Sequence, residues 1–210
     1  MNAPDRRSRL DAARIYLVTG GRRPAMGAFL DEVLAAGVDV IQVREKEAEA
    51  GEVLRLAQPF REAADRHGAL FIVNDRPDVA HALEADGVHL GQDDLPVDAA
   101  RDLLGPDAVI GLSTHTPEQL DRAPAEADYV CAGPVWATPT KLGRPAAGLD
   151  VVRHAAQSQD RPWFAIGGIT SANLSEVVAA GARRVVVVRA VTEARDPAAA
   201  VSALRSGLPD

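Results

Sequence analysis

Tyr129-Val130-Cys131-Ala132-Gly133-Pro134-Val135-Trp136-Ala137-Thr138-Pro139-Thr140-Lys141 is the stretch on which the reading of this chain turns. Its first residues are apolar and the run is short, which is how a strand buried on both faces reads. Gly133-Pro134 ends the run, and the hydroxyls of Thr138 and Thr140 and the ammonium of Lys141 follow. Functional groups just past the carboxyl end of a buried strand are typical of parallel α/β folds. The hydroxyls can donate to anionic oxygens and the lysine adds positive charge. Taken alone, the segment also reads as a solvated turn with a surface lysine.

The same pattern recurs in both directions along the chain. Short apolar runs stand at Ile15-Tyr16-Leu17-Val18, 38–43, 70–73, 87–90, 108–112, 129–132, 163–166 and 185–188. Longer amphipathic segments lie between them. Phe29, Val33 and Leu34 share one helical face, as do Val53, Leu54 and Ala57. Asn173, Val177 and Val178 lie on another helix, which Ala179-Ala180-Gly181 closes with glycine at C′. Eight strand–helix units in 210 residues predict an α/β fold, a single-domain (β/α)8 TIM barrel of parallel strands spanning 1–210. A doubly wound open sheet is the alternative. Residues 1–13 read as a polar, flexible N-terminal segment.

Composition narrows the function. The chain is 47% hydrophobic and 25% charged with a formal charge of −7, so no basic surface for nucleic acid is expected, although a local phosphate pocket is compatible with it. Residues 1–14 lack the apolar core of a secretory signal, and no apolar run approaches a membrane span, so the expected location is cytoplasmic with no membrane partner. Cys131 is the single cysteine, which excludes an intramolecular disulfide, and its apolar run marks it as a buried structural thiol.

A barrel gathers its chemistry at the carboxyl ends of its strands. Gln42, Arg44 and Lys46 alternate along the second unit and so share one face, where Arg would grip phosphate oxygens as a fork and Lys as a point charge. If Val40 and Val43 face the core instead, Gln42 and Arg44 turn outward. Asn74-Asp75 and Gln92-Asp93-Asp94 follow the third and fourth units, and Ser113 and His115 the fifth. Carboxylates from two loops, with waters and substrate phosphates, are how Mg²⁺ is held. Asp75 and Asp94 also suit helix N-caps. Gly167-Gly168 after the seventh unit would let backbone N–H groups approach an anion, with a helix starting near Ser171. His67, His81 and His154 fall in helical segments and His89 in a strand, with no metal-ligand spacing among them. No Ser-His-Asp order or Cys-x-x-Cys spacing is visible.

Together these segments resemble the thiamine-phosphate synthase family. The resemblance runs from Ile15 to the last helix. It rests on Gln42-Val43-Arg44-Glu45-Lys46, Val73-Asn74-Asp75, Gly87 to Asp94, Gly111-Leu112-Ser113-Thr114-His115, Gly133 to Lys141, and Ala165 to Ile169. It implies a transferase that joins a pyrimidine diphosphate to a thiazole phosphate and releases diphosphate, after dissociative loss of that group. It further implies that Gln42, Arg44, Lys46, Asn74, Ser113 and Lys141 bind the pyrimidine diphosphate, with Arg44, Lys46, Ser113 and Lys141 assisting the chemistry. Mg²⁺ would be held by Asp75 and Asp94. Thr138, Thr140, Gly168 and the Val188–Arg189 backbone would bind the thiazole phosphate. Small-molecule substrates are thus the expected partners, and a homo-oligomer is compatible with the sequence. The family commonly has Ser where Arg189 stands, which leaves that side chain's role open, and an Asp in place of the Gly20-Gly21 pair. A thiazole tautomerase on the same barrel would not need the Arg44/Lys46 and Asp75/Asp94 sets; a non-catalytic phosphometabolite-binding barrel is a third reading, since fold does not fix function.

Overall fold

A computed structural model describes residues 3–137 and 146–209 of the chain. The strands are β1 (Ile15–Thr19), β2 (Val40–Val43), β3 (Leu70–Asn74), β4 (Gly87–Leu90), β5 (Val109–Thr114), β6 (Tyr129–Ala132), β7 (Trp163–Ile166) and β8 (Val185–Val187). Each pairs in parallel with its sequence neighbour and β8 returns to β1, so the sheet closes into the expected (β/α)8 barrel. The open-sheet alternative is thereby excluded.

Closure explains why the strands read as nearly continuous apolar runs. Alternate residues face two different cores. Ile15, Leu17, Ile41, Val43, Phe71 and Val73 pack outward against the helices. Tyr16, Val18, Val40, Leu70, Ile72, Tyr129, Cys131, Phe164 and Val186 fill the interior. Tyr16, Tyr129 and Phe164 meet there edge to face, with ring centroids 5.5–6.0 Å apart. Cys131 is buried among them, as its apolar run implied.

The outer ring begins with α2 (Met26–Ala35), α3 (Ala50–His67), α4 (Pro77–Ala82), α5 (Val97–Leu104) and α6 (Pro117–Asp121). It continues with α7 (Gly148–Ser158), α8 (Leu174–Ala179), α9 (Arg189–Thr192) and α10 (Pro197–Gly207). Phe29, Val33 and Leu34 of α2 and Val53 and Ala57 of α3 are buried as their spacing predicts. Gly181 follows the α8 cap with φ +106°, the C′ role read from sequence. Among the described residues no helix is long and apolar enough to cross a membrane.

The N-terminal segment differs from expectation. It forms a helix, α1 (Ala3–Ala12), lying across the amino-terminal end of the barrel. Leu10 is buried within the interior cluster. Arg6 Nε donates to Asp86 Oδ1 at 2.9 Å, and Arg7 Nε to Asp128 Oδ1 at 2.9 Å. Arg9 also donates to the Gly68 carbonyl. Residues 68, 86 and 128 immediately precede strands, so α1 bolts the barrel floor through three separate loops. Its polarity, which suggested flexibility, is the chemistry of those bolts. Asp86 is 1% exposed and also accepts from Phe71 N–H at 2.9 Å and Arg61 Nη1 at 3.3 Å, so its charge is well satisfied.

Candidate active site at the barrel mouth

The opposite end of the barrel carries a cavity of about 400 Å³, large enough for a small organic substrate. Its lining joins Gln42, Arg44, Lys46, Asn74, Asp75 and Asp94 to Ser113 and Val188, so residues from five strand ends converge as predicted. A second cavity adjoins it through Ser113, His115 and Val188, and runs past Gly167, Gly168 and Arg189. Thr138, Thr140 and Lys141 lie outside the described residues.

On β2 the alternation resolves in favour of the interior. Ile41 and Val43 pack against the helices, so Gln42 points inward and is 2% exposed, and Arg44 follows on the same side. The Arg44 N–H donates to the Thr19 carbonyl at 2.9 Å, holding the loop after β2 against β1. Burial pulls the Arg44 guanidinium below its ordinary pKa, and the nearby Asp75 charge opposes that. Lys46 is half exposed, with its Nζ 3.1 Å from Asp75 Oδ2. Glu45, between the two cations, turns away and accepts from Gly21 N–H at 2.7 Å. A Cβ at position 20 would lie 2.8 Å from that carboxylate, so the glycine pair after β1 allows the approach.

Asp75 and Asp94 do not cap helices. The N-cap positions of α4 and α5 are Arg76 and Pro96, with no side-chain cap at either. Asp75 instead adopts a left-handed backbone with φ +61°, and its N–H donates to the His89 carbonyl at 2.8 Å. Such a conformation is uncommon outside glycine, though Asp tolerates it, and here it turns the carboxylate into the mouth. Asp94 accepts from Gly91 N–H at 2.6 Å, in a loop so tight that a Cβ on Gly91 would come within 2.9 Å of Asp94 Oδ2. The two carboxylates meet: burial first, then the Asp75 side chain, raise the Asp94 pKa above the usual carboxylate value, while Gly91 N–H and Lys46 oppose. Two acids pressed together beside cations make an oxygen-rich site suited to a small divalent ion. Among the described residues no group of three or more His, Cys, Asp or Glu side chains forms a metal cage.

The second cavity is walled by close backbone approaches. A Cβ on Gly133 would lie 2.1 Å from the Ile166 carbonyl oxygen, so β6 and β7 can converge there only without a side chain. Gly168 is left-handed at φ +69°. Asn173 locks the turn beyond it, donating from Nδ2 to the Gly168 carbonyl at 2.9 Å and accepting from Thr170 N–H at 2.8 Å. The helix expected near Ser171 begins later, at Leu174, because Asn173 is spent on closing this turn. Arg189 opens α9 and is exposed at the rim. His115 donates from Nδ1 to the Gly133 carbonyl at 2.5 Å, which turns Nε2 away from that contact.

Sequence reasoning passed over the floor of the larger cavity. Tyr16 and His89 line it together with Cys131. As single residues in apolar strands they carried no mark beyond core.

The chain is similar to known proteins over nearly its whole length. The family described as Thiamine monophosphate synthase matches residues 15–191. A thiamine-phosphate synthase of Acidothermus cellulolyticus is 62% identical over 195 residues, covering 90% of this chain and 92% of that protein. One from Thermobifida fusca is 56% identical, covering 96% and 95%. A solved thiamine phosphate pyrophosphorylase from Pyrococcus furiosus superposes with a TM-score of 0.84 at 34% identity, covering 96% of each chain.

Proposed function

The chain belongs to the thiamine monophosphate synthase family and is a transferase, and from that premise we propose that it joins a 4-aminopyrimidine methyl diphosphate to a thiazole phosphate, forming thiamine phosphate and diphosphate. The observation that carries this reading is the convergence of Arg44 and Lys46 with Asp75 and Asp94 in one cavity, beside a second cavity built on Gly168.

The division of labour follows from the two cavities. The larger has a floor for a flat ring and a charged rim for a diphosphate. Arg44, half-buried, and Lys46, at the edge, would bind the diphosphate oxygens and stabilise the charge that grows as the C–O bond to the ring's methylene breaks. Asp75 and Asp94 would hold Mg²⁺, which when bound supplies further neutralisation of the leaving group. The two carboxylates stand in contact, and a bound dication would relieve their mutual repulsion. The smaller cavity, with its left-handed Gly168 turn, would place the thiazole phosphate so that the ring nitrogen faces the methylene carbon. No protein nucleophile is needed, and Ser113 sits where the two cavities join.

The test is direct. Purified protein with both substrates and Mg²⁺ is expected to form thiamine phosphate and release one diphosphate for each. Failure to form thiamine phosphate at any Mg²⁺ concentration, with the barrel shown to be folded, would overturn the proposal.

A further inference from the structure

Beneath the charged rim, five buried polar side chains form an unbroken hydrogen-bond chain across the barrel. Gln42 Nε2 donates to the Tyr16 hydroxyl at 2.5 Å, and the Tyr16 and Tyr129 hydroxyls lie 3.0 Å apart. The Tyr129 hydroxyl is 3.1 Å from His89 Nδ1, and His89 Nε2 is 2.9 Å from Ser113 Oγ. None of the five is more than 6% exposed. The His89 ring stacks on Tyr129 with centroids 5.5 Å apart. A Cβ at Gly111 would sit 2.1 Å from the Tyr129 ring, so the glycine inside β5 is what lets the tyrosine occupy this place. The two ends of the chain, Gln42 on β2 and Ser113 on β5, both open into the larger cavity.

Proton counting gives the chain a direction. Each hydroxyl has one hydrogen, and a neutral imidazole has one N–H. With Gln42 as donor, Tyr16 must give its hydrogen to Tyr129, and Tyr129 must give its own to His89 Nδ1. His89 then carries its proton on Nε2 and donates to Ser113. That leaves the Ser113 hydrogen at one end, and the Gln42 Oε1 lone pairs with the second Nε2 hydrogen at the other, for a ligand. Turning the Gln42 amide over would reverse every link at once. In one sense Ser113 offers its hydrogen and Gln42 its Oε1 lone pairs; in the other Ser113 offers lone pairs and Gln42 its N–H groups.

We propose that Tyr16, Tyr129 and His89 are positioning residues that lock Gln42 and Ser113 into an opposed donor–acceptor pair, and that this pair selects the aminopyrimidine ring by reading it from two edges. The inference rests on the substrate assigned under Proposed function. A 4-aminopyrimidine offers a donor at its amino group and an acceptor at N1, directly across the ring. A ring lacking either group leaves one end of the chain buried without a partner, and that end reorients only if every other link reverses with it.

The experiment compares wild type with Tyr129→Phe and Tyr16→Phe, which sever the chain at different links and keep the aromatic packing. Binding of the pyrimidine diphosphate, its 4-desamino analogue and its N1→CH analogue is measured by calorimetry with Mg²⁺ and no thiazole phosphate. Wild type is expected to prefer the aminopyrimidine strongly, and both variants to lose at least about tenfold of that preference. Nitrogen NMR of ligand-free wild type should find one dominant His89 tautomer, protonated on Nε2 or on Nδ1, with the preference lost in both folded variants. Equal ligand discrimination in wild type and variants, while wild type makes thiamine phosphate, overturns the inference and leaves the function standing. An even tautomer mixture, or a doubly protonated His89, in wild type also overturns it. If wild type makes no thiamine phosphate, the assigned function fails, and with it the ring selection. The tautomer measurement then still decides whether the chain is directional.

Discussion

Lys46 Nζ stands 3.1 Å from Asp75 Oδ2, and Asp75 in turn presses on Asp94, so one cation and two acids share a corner of the barrel mouth. Alone, that corner is poorly balanced. With a diphosphate and a divalent ion in place, each charge acquires an opposite neighbour.

Asp75→Ala and Asp94→Ala should therefore each lower kcat. They should also raise the Mg²⁺ concentration for half-maximal rate by at least about tenfold, since even supporting contacts at metal sites cost that much. Initial rates across a Mg²⁺ titration check this. A wild-type Mg²⁺ midpoint in both variants contradicts their role as ligands.

Asp94→Asn should separate stability from activity. The Asp94 pKa is raised, so its contribution to folding is greatest at low pH and is lost as pH rises through the folded-state value. At neutral pH without metal its charge is a cost. The amide removes that cost while still accepting from Gly91 N–H. Metal-free Asp94→Asn is expected to melt about 2 °C above wild type at pH 7 and to lose the advantage near pH 4. Thermal scans at both pH values test the sign.

Asp86→Ala should be among the most damaging single changes at the barrel floor. It leaves Arg6, Arg61 and the Phe71 N–H without their shared acceptor. The expected cost is about 3–5 kcal/mol, or roughly 10 °C in Tm. Asp150→Ala, which removes an ion pair on an exposed face of α7, should scarcely move Tm. Equal effects in denaturant titrations would contradict the contrast.

Gly168→Ala should harm the site more than the fold. The left-handed φ of +69° strains any Cβ by about 1 kcal/mol, and here the Cβ would also meet Trp136 Cβ at 2.9 Å. Gly105 has φ +80° with nothing within 4 Å of its Cβ. Both alanine variants should lose stability, Gly105→Ala through backbone strain alone and Gly168→Ala through strain and the Trp136 contact. Only Gly168→Ala should raise KM for the thiazole phosphate, about fivefold or more if it costs one phosphate contact.

The barrel was legible because each strand is a short apolar run with helical spacing after it, and closure demands little else. The rim was legible because charged residues directly after such runs have few other places to be. Two features were hidden for opposite reasons. In β2 both faces are buried, so periodicity could not tell whether Gln42 faced inward, and register alone settles it. Tyr16, Tyr129 and His89 lay in the same kind of apolar strand, where a functional polar tip and a core ring look alike. In α1 the stabilising partners are aspartates some 80 and 121 residues away, a pairing that no local pattern reveals.

The chain's first helix and its charged rim occupy opposite poles of the molecule. An affinity handle or surface linker joined ahead of Ala3 therefore leaves substrate entry unobstructed, yet it pulls directly on the Arg6 and Arg7 anchors. Tethering at that end would load the helix whose contacts hold the loops of the barrel floor.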